Sequence, residues 1–126
     1  MRAKTRAQAM IEFALVIGVT IILAVGAIQG LFSFYITRQV RAAAEEIADL
    51  AAIHGADPEI IDQEVPAILS HHRLDEALAE WEVVPTPAAY LQPLVVTLQY
   101  NLTVRFYGLF ELPIPAQQVR RLCEGG

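Results

Sequence analysis

The sequence predicts an α+β protein: a long N-terminal α-helix, membrane-spanning in its first half and amphipathic in its second, carrying a short second helix and a small antiparallel sheet of about three strands. Three observations predict it. Residues 13–37 contain no charge and are mostly apolar. Helical spacing of apolar residues continues past that run, through ITRQVRAAAEEIADLAAIHG. Near the C-terminus, LVVTLQYNLTVRF alternates apolar and polar residues with a period of two.

The uncharged run comes first. Its 25 residues, at about 1.5 Å each, reach roughly 37 Å and exceed a hydrocarbon core of about 30 Å. A secretory signal peptide has a shorter apolar core and a small-residue exit, so a membrane span is the better reading. Phe32, Phe34 and Tyr35 flank its end as interfacial aromatics do. Arg2, Lys4 and Arg6 precede the run, against Arg38 and Arg41 after it. That bias predicts a cytoplasmic N-terminus and an exported C-terminal part.

Beyond the span, Ile36, Val40, Ala43/Ala44, Ile47 and Leu50/Ala51 recur at i, i+3/i+4. The alanines favour helix, and no proline occurs between Gln8 and Ala56. Gly55 reads as the stop. One helix is therefore expected over about residues 8–54, near 70 Å long at about 1.5 Å per residue. Asp57-Pro58-Glu59 is a helix-start signature, with Asp as cap and Pro in the first position, and predicts a short helix over about 58–70. Strands are expected over about 80–85, 94–107 and 116–123. PTPAAYLQP is a proline-rich loop, and YGLFELPIP is expected to turn the chain. In the long strand, Leu94, Val96, Leu98, Tyr100, Leu102, Val104 and Phe106 form one face. An antiparallel sheet wet on one side follows, its apolar face laid on the helix stripe.

Composition narrows the function classes. The chain has 126 residues and is 55% hydrophobic, with the excess in its first third, so the exported part has only a modest core. Past Arg6 there are six Arg, no Lys and 14 acids, a net charge of −8. Such a region is a poor nucleic-acid binder. Cys123 is the one cysteine, which excludes an intrachain disulfide and Cys-based metal motifs. It reads as a buried small hydrophobe or a free thiol. His54, His71 and His72 lack a recognised ligand spacing, and a solvated turn is expected for the adjacent pair. Asn101-Leu102-Thr103 matches a glycosylation sequon inside the predicted strand, where a chance match is the simpler reading. No nucleophile–base pair, phosphate loop or paired-carboxylate site is legible, so neither catalysis nor a cofactor or metal is expected.

Glu12 stands at the mouth of the apolar run. The short basic leader, a small residue, and then Gln8-Ala9-Met10-Ile11-Glu12-Phe13-Ala14-Leu15-Val16 resemble the start of type IV pilins. More closely they resemble TadE-like proteins of tight-adherence (Tad/Flp) pilus systems. The resemblance is sharp over residues 7–16 and covers the rest in layout. It implies a leader at 1–7, a transmembrane and filament-core helix half at 8–36, and an exported head at 37–126. It implies a prepilin-peptidase cut between Ala7 and Gln8, with Ala7 standing where the family usually has Gly. It further implies that Glu12 pairs with the freed amine of a neighbouring subunit and sets register; the simpler reading of the residue alone is a carboxylate that snorkels to the headgroups in the helix's first turn, at the positive end of the dipole. Leaving one such charge alone in a desolvated bundle costs about 3–5 kcal/mol. The partners implied are other copies or other pilins, the peptidase, an assembly ATPase and platform proteins, at the inner membrane and then in an extracellular pilus used for adhesion.

Helix packing is assigned to Phe13, Gly18, Gly26 and Gly30. Gly26 and Gly30 form a GxxxG, which either brings helices together or occurs by chance in an apolar segment. A rival reading is a bitopic membrane adaptor whose head binds an envelope partner and which never polymerises.

Overall fold

The computed structural model describes residues 2–125. Helix α1 runs unbroken over Arg2–Ile53, about 78 Å at 1.5 Å per residue. It begins earlier than the sequence suggests, because Ala, Lys, Arg and Gln in its first turns all favour helix. The leader's described residues are thus continuous with the helix; Met1 lies outside the described residues.

The end of α1 follows from local chemistry. Gly55 takes a positive φ of 66°, the left-handed conformation that glycine adopts without steric cost. Ala56 N–H then donates to the Ala51 carbonyl at 2.8 Å, closing a Schellman-type cap. The C-terminal tail adds to this cap. Glu124 and Gly125 amides both donate to the Ala52 carbonyl, at 2.8 and 2.9 Å. A side chain at Gly125 would collide with the Ile53 carbonyl, so only glycine lets the tail lie this close.

Helix α2 spans Pro58–His71. Asp57 caps it, its Oδ1 accepting from Glu59 N–H at 3.0 Å, with Pro58 in the first turn. A 3-10 turn at Glu76–Leu78 leads into the strands. These are β1 (Ala79–Val84), β2 (Pro93–Tyr100), β3 (Thr103–Phe106), β4 (Phe110–Pro113) and β5 (Gln117–Leu122).

The main sheet is antiparallel in the order β1-β2-β5, and β3-β4 form a separate hairpin. Val83 pairs with Val96, and Val96 with Val119, across the sheet's inner face. Glu82 pairs with Thr97, and Thr97 with Gln118, on the wet face. The buried core joins Val40, Ala43, Ala44, Ile47 and Ala51 of α1 to Leu94, Val96 and Leu98 of β2 and to Val65 and Leu69 of α2. Small alanines on α1 let the sheet approach its axis closely, so the larger strand residues fill the space. No charged or polar residue is buried among the described residues.

Two strand expectations are corrected. The predicted strand over 94–107 is two strands, broken at Asn101 and Leu102. There Asn101 N–H leaves the sheet to donate to the Leu78 carbonyl (2.7 Å), and Leu102 N–H folds back to the Tyr100 carbonyl (2.9 Å). Asn101 is therefore exposed in a bend rather than within a strand. Half of the expected turn YGLFELPIP is strand β4. Tyr107 and Gly108 have positive φ values of 57° and 68°, as a type I′ hairpin turn requires. Leu109 N–H closes the turn on the Phe106 carbonyl at 3.0 Å.

Candidate membrane and assembly surface

α1 consists of two unlike halves. From Ala3 to Tyr35 no residue is buried. From Ile36 onward, Ile36, Val40, Ala43, Ala44, Ile47, Ala48, Ala51 and Ala52 are buried against the head. The bare half is strongly apolar, and none of its apolar stretch is buried. Met10, Ile11, Phe13, Leu15, Ile21, Ile22, Leu23, Ile28 and Leu31 are all exposed around its circumference. A helix that is apolar all round needs lipid or protein about it. A soluble monomer rarely exposes apolar patches beyond a few hundred Å2 (about 300–600 for the largest). This helix is long and apolar enough to cross a membrane.

The sequence-derived site residues lie along this rod. Ala7 and Gln8 are exposed, within the continuous helix. Glu12 is exposed one turn beyond Gln8, on the same side of the helix. Its carboxylate makes no ion pair among the described residues. Phe13 projects outward and is exposed. Gly18 and Gly30 have open space where a Cβ would stand.

Gly26 differs. Tyr107, at the tip of the β3-β4 hairpin, lies across it, and a Cβ on Gly26 would collide with the phenol oxygen. The Tyr107 hydroxyl donates to the Ile22 carbonyl at 2.6 Å, and its backbone N–H donates to Oε1 of Gln29 at 3.2 Å. Ile22 and Gln29 are seven residues apart, about 10 Å along the helix. The tyrosine therefore lies lengthwise on α1, with its hydroxyl pointing toward the N-terminus. Half of the GxxxG is thus taken by the chain's own hairpin. Sequence reading missed Tyr107. The legible signal was an apolar Tyr-Gly-Leu-Phe in a segment otherwise expected to turn the chain.

The head is clamped to the buried half by polar contacts at its margins. Arg121 Nε donates to Asp49 Oδ1 at 3.0 Å, and an Arg41 guanidinium nitrogen donates to the Gln118 carbonyl at 2.7 Å. His72 corrects the expectation of a solvated histidine turn. His71 is exposed, but His72 is half-buried, with Nε2 2.7 Å from Glu46 Oε2. The histidine ties the end of α2 to α1. Cys123 is a buried free thiol, and the flanking strand end is held by Leu91 N–H on its carbonyl at 2.7 Å. A concavity between the end of α1 and β5 is lined by Asp49, Ile53, Pro93, Arg121, Leu122 and Glu124. Arg121 and Asp49 there already neutralise each other.

No family model, curated protein or solved structure matches the chain.

Proposed function

We propose that this protein is a structural, non-enzymatic pilin-like subunit. In this reading it inserts in the inner membrane with its N-terminus inside. It is trimmed between Ala7 and Gln8, and it assembles through α1 into a tight-adherence-type pilus as a minor or major subunit. The observation that carries the reading is the division of α1. One half is welded to a folded head, and the other is bare, apolar over most of its length and headed by Glu12, which makes no ion pair among the described residues. A rod of this kind has the same need for apolar neighbours in a bilayer and in a bundle of like rods. Left in water, its surface would cost about 25 cal/mol per Å2. Transfer from lipid to filament must therefore pass without a wet interval.

Glu12 gives the reading its specificity. Lipid needs no carboxylate at this position, whereas a subunit stack gains register from pairing it with a neighbour's amine. The Glu12→Ala variant is expected to insert normally, shown by membrane fractionation, and to be lost from sheared filaments. Normal incorporation would reject the register role.

A second reading draws on the helix itself. The Ala7–Gln8 bond lies inside α1, and proteolysis needs frayed backbone. A chain whose helix stays intact there would be retained uncut as a bitopic adaptor with a partner-binding head. The intact mass of the cellular protein separates the two: a chain beginning at Gln8 supports the pilin, and a full-length membrane monomer supports the adaptor.

A further inference from the structure

We infer that the β3-β4 hairpin is a second membrane element, whose apolar tip enters the outer leaflet beside α1 and whose occupant is lipid acyl chain. The inference rests on the membrane-spanning reading of α1 and is independent of filament assembly.

Four observations converge on it. The tip is apolar and uncovered: Leu109 is 78% exposed and Phe110 64%, with Leu112 also exposed. A solvated turn has no use for these residues, and the head leaves them bare while burying Val104 and Ile114 just behind them. Second, the tip is fixed against the apolar half of α1, not against the head. Tyr107 spans from Gln29 to Ile22, both within the uncharged run, so its neighbours on the helix are those that face lipid.

Third, three of the tip's polar groups are satisfied locally. The Tyr107 hydroxyl and backbone N–H are both bonded to α1, and the turn amide of Leu109 is bonded to Phe106. Each group so satisfied lowers the cost of bringing the turn to the hydrocarbon boundary. Fourth, charge returns immediately above the tip. Arg105 and Glu111, paired across the strands, form an exposed ion pair at 2.9 Å. Two strand residues climb at most about 7 Å from Tyr107, which reaches no higher on α1 than about Phe34. Arg38 sits over the Phe34 ring there, 5.8 Å from its centroid. A bilayer core of about 30 Å, or 20 helical residues, that starts just after Glu12 ends at about Phe32. The tip then lies below the headgroups, and the Arg105–Glu111 pair reaches at most about 3 Å past the hydrocarbon boundary.

The test is depth-dependent quenching of tryptophan in the full chain, reconstituted in phosphatidylcholine/phosphatidylglycerol vesicles with acyl-chain-brominated lipid. Trp81 is the single native tryptophan, so Trp81→Phe supplies the background. Leu109→Trp reports the tip, Val19→Trp the span and Gln118→Trp the wet face of the head. The expected result is a loss of emission for Leu109→Trp comparable with that for Val19→Trp, with Gln118→Trp unquenched. Quenching at Val19→Trp alone overturns the hairpin proposal and leaves the span standing. Quenching at neither overturns both. A blue-shifted Leu109→Trp that is unquenched by lipid and varies with protein concentration would assign the tip to a second copy and also overturn the proposal. Should Trp81→Phe disturb the head, a spin label at Leu109→Cys in a Cys123→Ala background reads the same depth from its oxygen accessibility.

Discussion

The two halves of α1 share one backbone and differ in everything that touches it. Residues 36–53 alternate buried apolar and exposed charged positions, and the head supplies their partners. Residues 13–35 have almost no polar face, and among the described residues a hairpin lies against them. The difference teaches where each half gets its stability. The buried half is held by its own domain. The bare half has no such domain about it and needs an apolar medium.

The sharpest way to break that comparison is to remove equal volumes from the two halves. Ile47 is fully buried, whereas Ile22 is exposed at 57%. Ile47→Ala is expected to destabilise the head by about 2–5 kcal/mol, through lost burial and the cavity left behind. Ile22→Ala should leave head stability unchanged within about 0.5 kcal/mol, as exposed substitutions do. Denaturant unfolding in detergent, followed by near-ultraviolet signals from Trp81 and Tyr100, measures both. Equal losses would mean that the halves fold as one unit and that the division is false.

Much of this division is legible in the sequence, for physical reasons. An uncharged run and an i, i+3/i+4 stripe each depend only on neighbours within a turn or two, so they announce themselves locally. The stop at Gly55 and the cap at Asp57 are local in the same way. What escapes is pairing. Alternation continues through Tyr100, Leu102 and Val104 without a fault, although the strand changes partners at Asn101. A period of two reports which face is apolar and says nothing about which strand lies alongside. β4 is hidden because Phe110-Glu111-Leu112-Pro113 is short and ends in proline. Tyr107 on Gly26 joins residues 81 apart, a contact that no local pattern encodes. At the candidate site, the bare helix was readable because exposure of an apolar run follows from its length; the hairpin lying on it was not.

That hidden contact yields a middle-sized prediction. Gly18, Gly26 and Gly30 all lie on one helix, and glycine in a helix interior costs about 0.5–1 kcal/mol relative to alanine. Gly18→Ala and Gly30→Ala meet open space and should strengthen α1 by roughly that amount. Gly26→Ala has the same propensity gain but strikes the Tyr107 ring. It should release the hairpin and lose the two bonds from Tyr107 to α1, each worth about 0.5–1.5 kcal/mol net. Hydrogen exchange of the β3 and β4 amides is the measure: protection falls for Gly26→Ala, falls less for Tyr107→Phe, and holds for the other two glycines. Undiminished protection in Gly26→Ala would show that the hairpin stands by its own pairing and merely rests against the helix.

The smallest expected effect concerns the charges at the margin of the buried half. Arg121 and Asp49 meet at 3.0 Å, but the two side chains remain 40% and 62% exposed. Pairs so open to water contribute about 0.2–1 kcal/mol and weaken as salt screens them. Asp49→Asn keeps the shape and a hydrogen-bond acceptor for Arg121 while removing the charge. It should lower the head's melting temperature only slightly, and the deficit should shrink at high salt. If apolar burial holds this half, the loss stays far below that of Ile47→Ala. A loss that rivals the core substitution would relocate the clamp from the alanine stripe to its charged rim, and the head would then be expected to loosen from α1 whenever ionic strength rises.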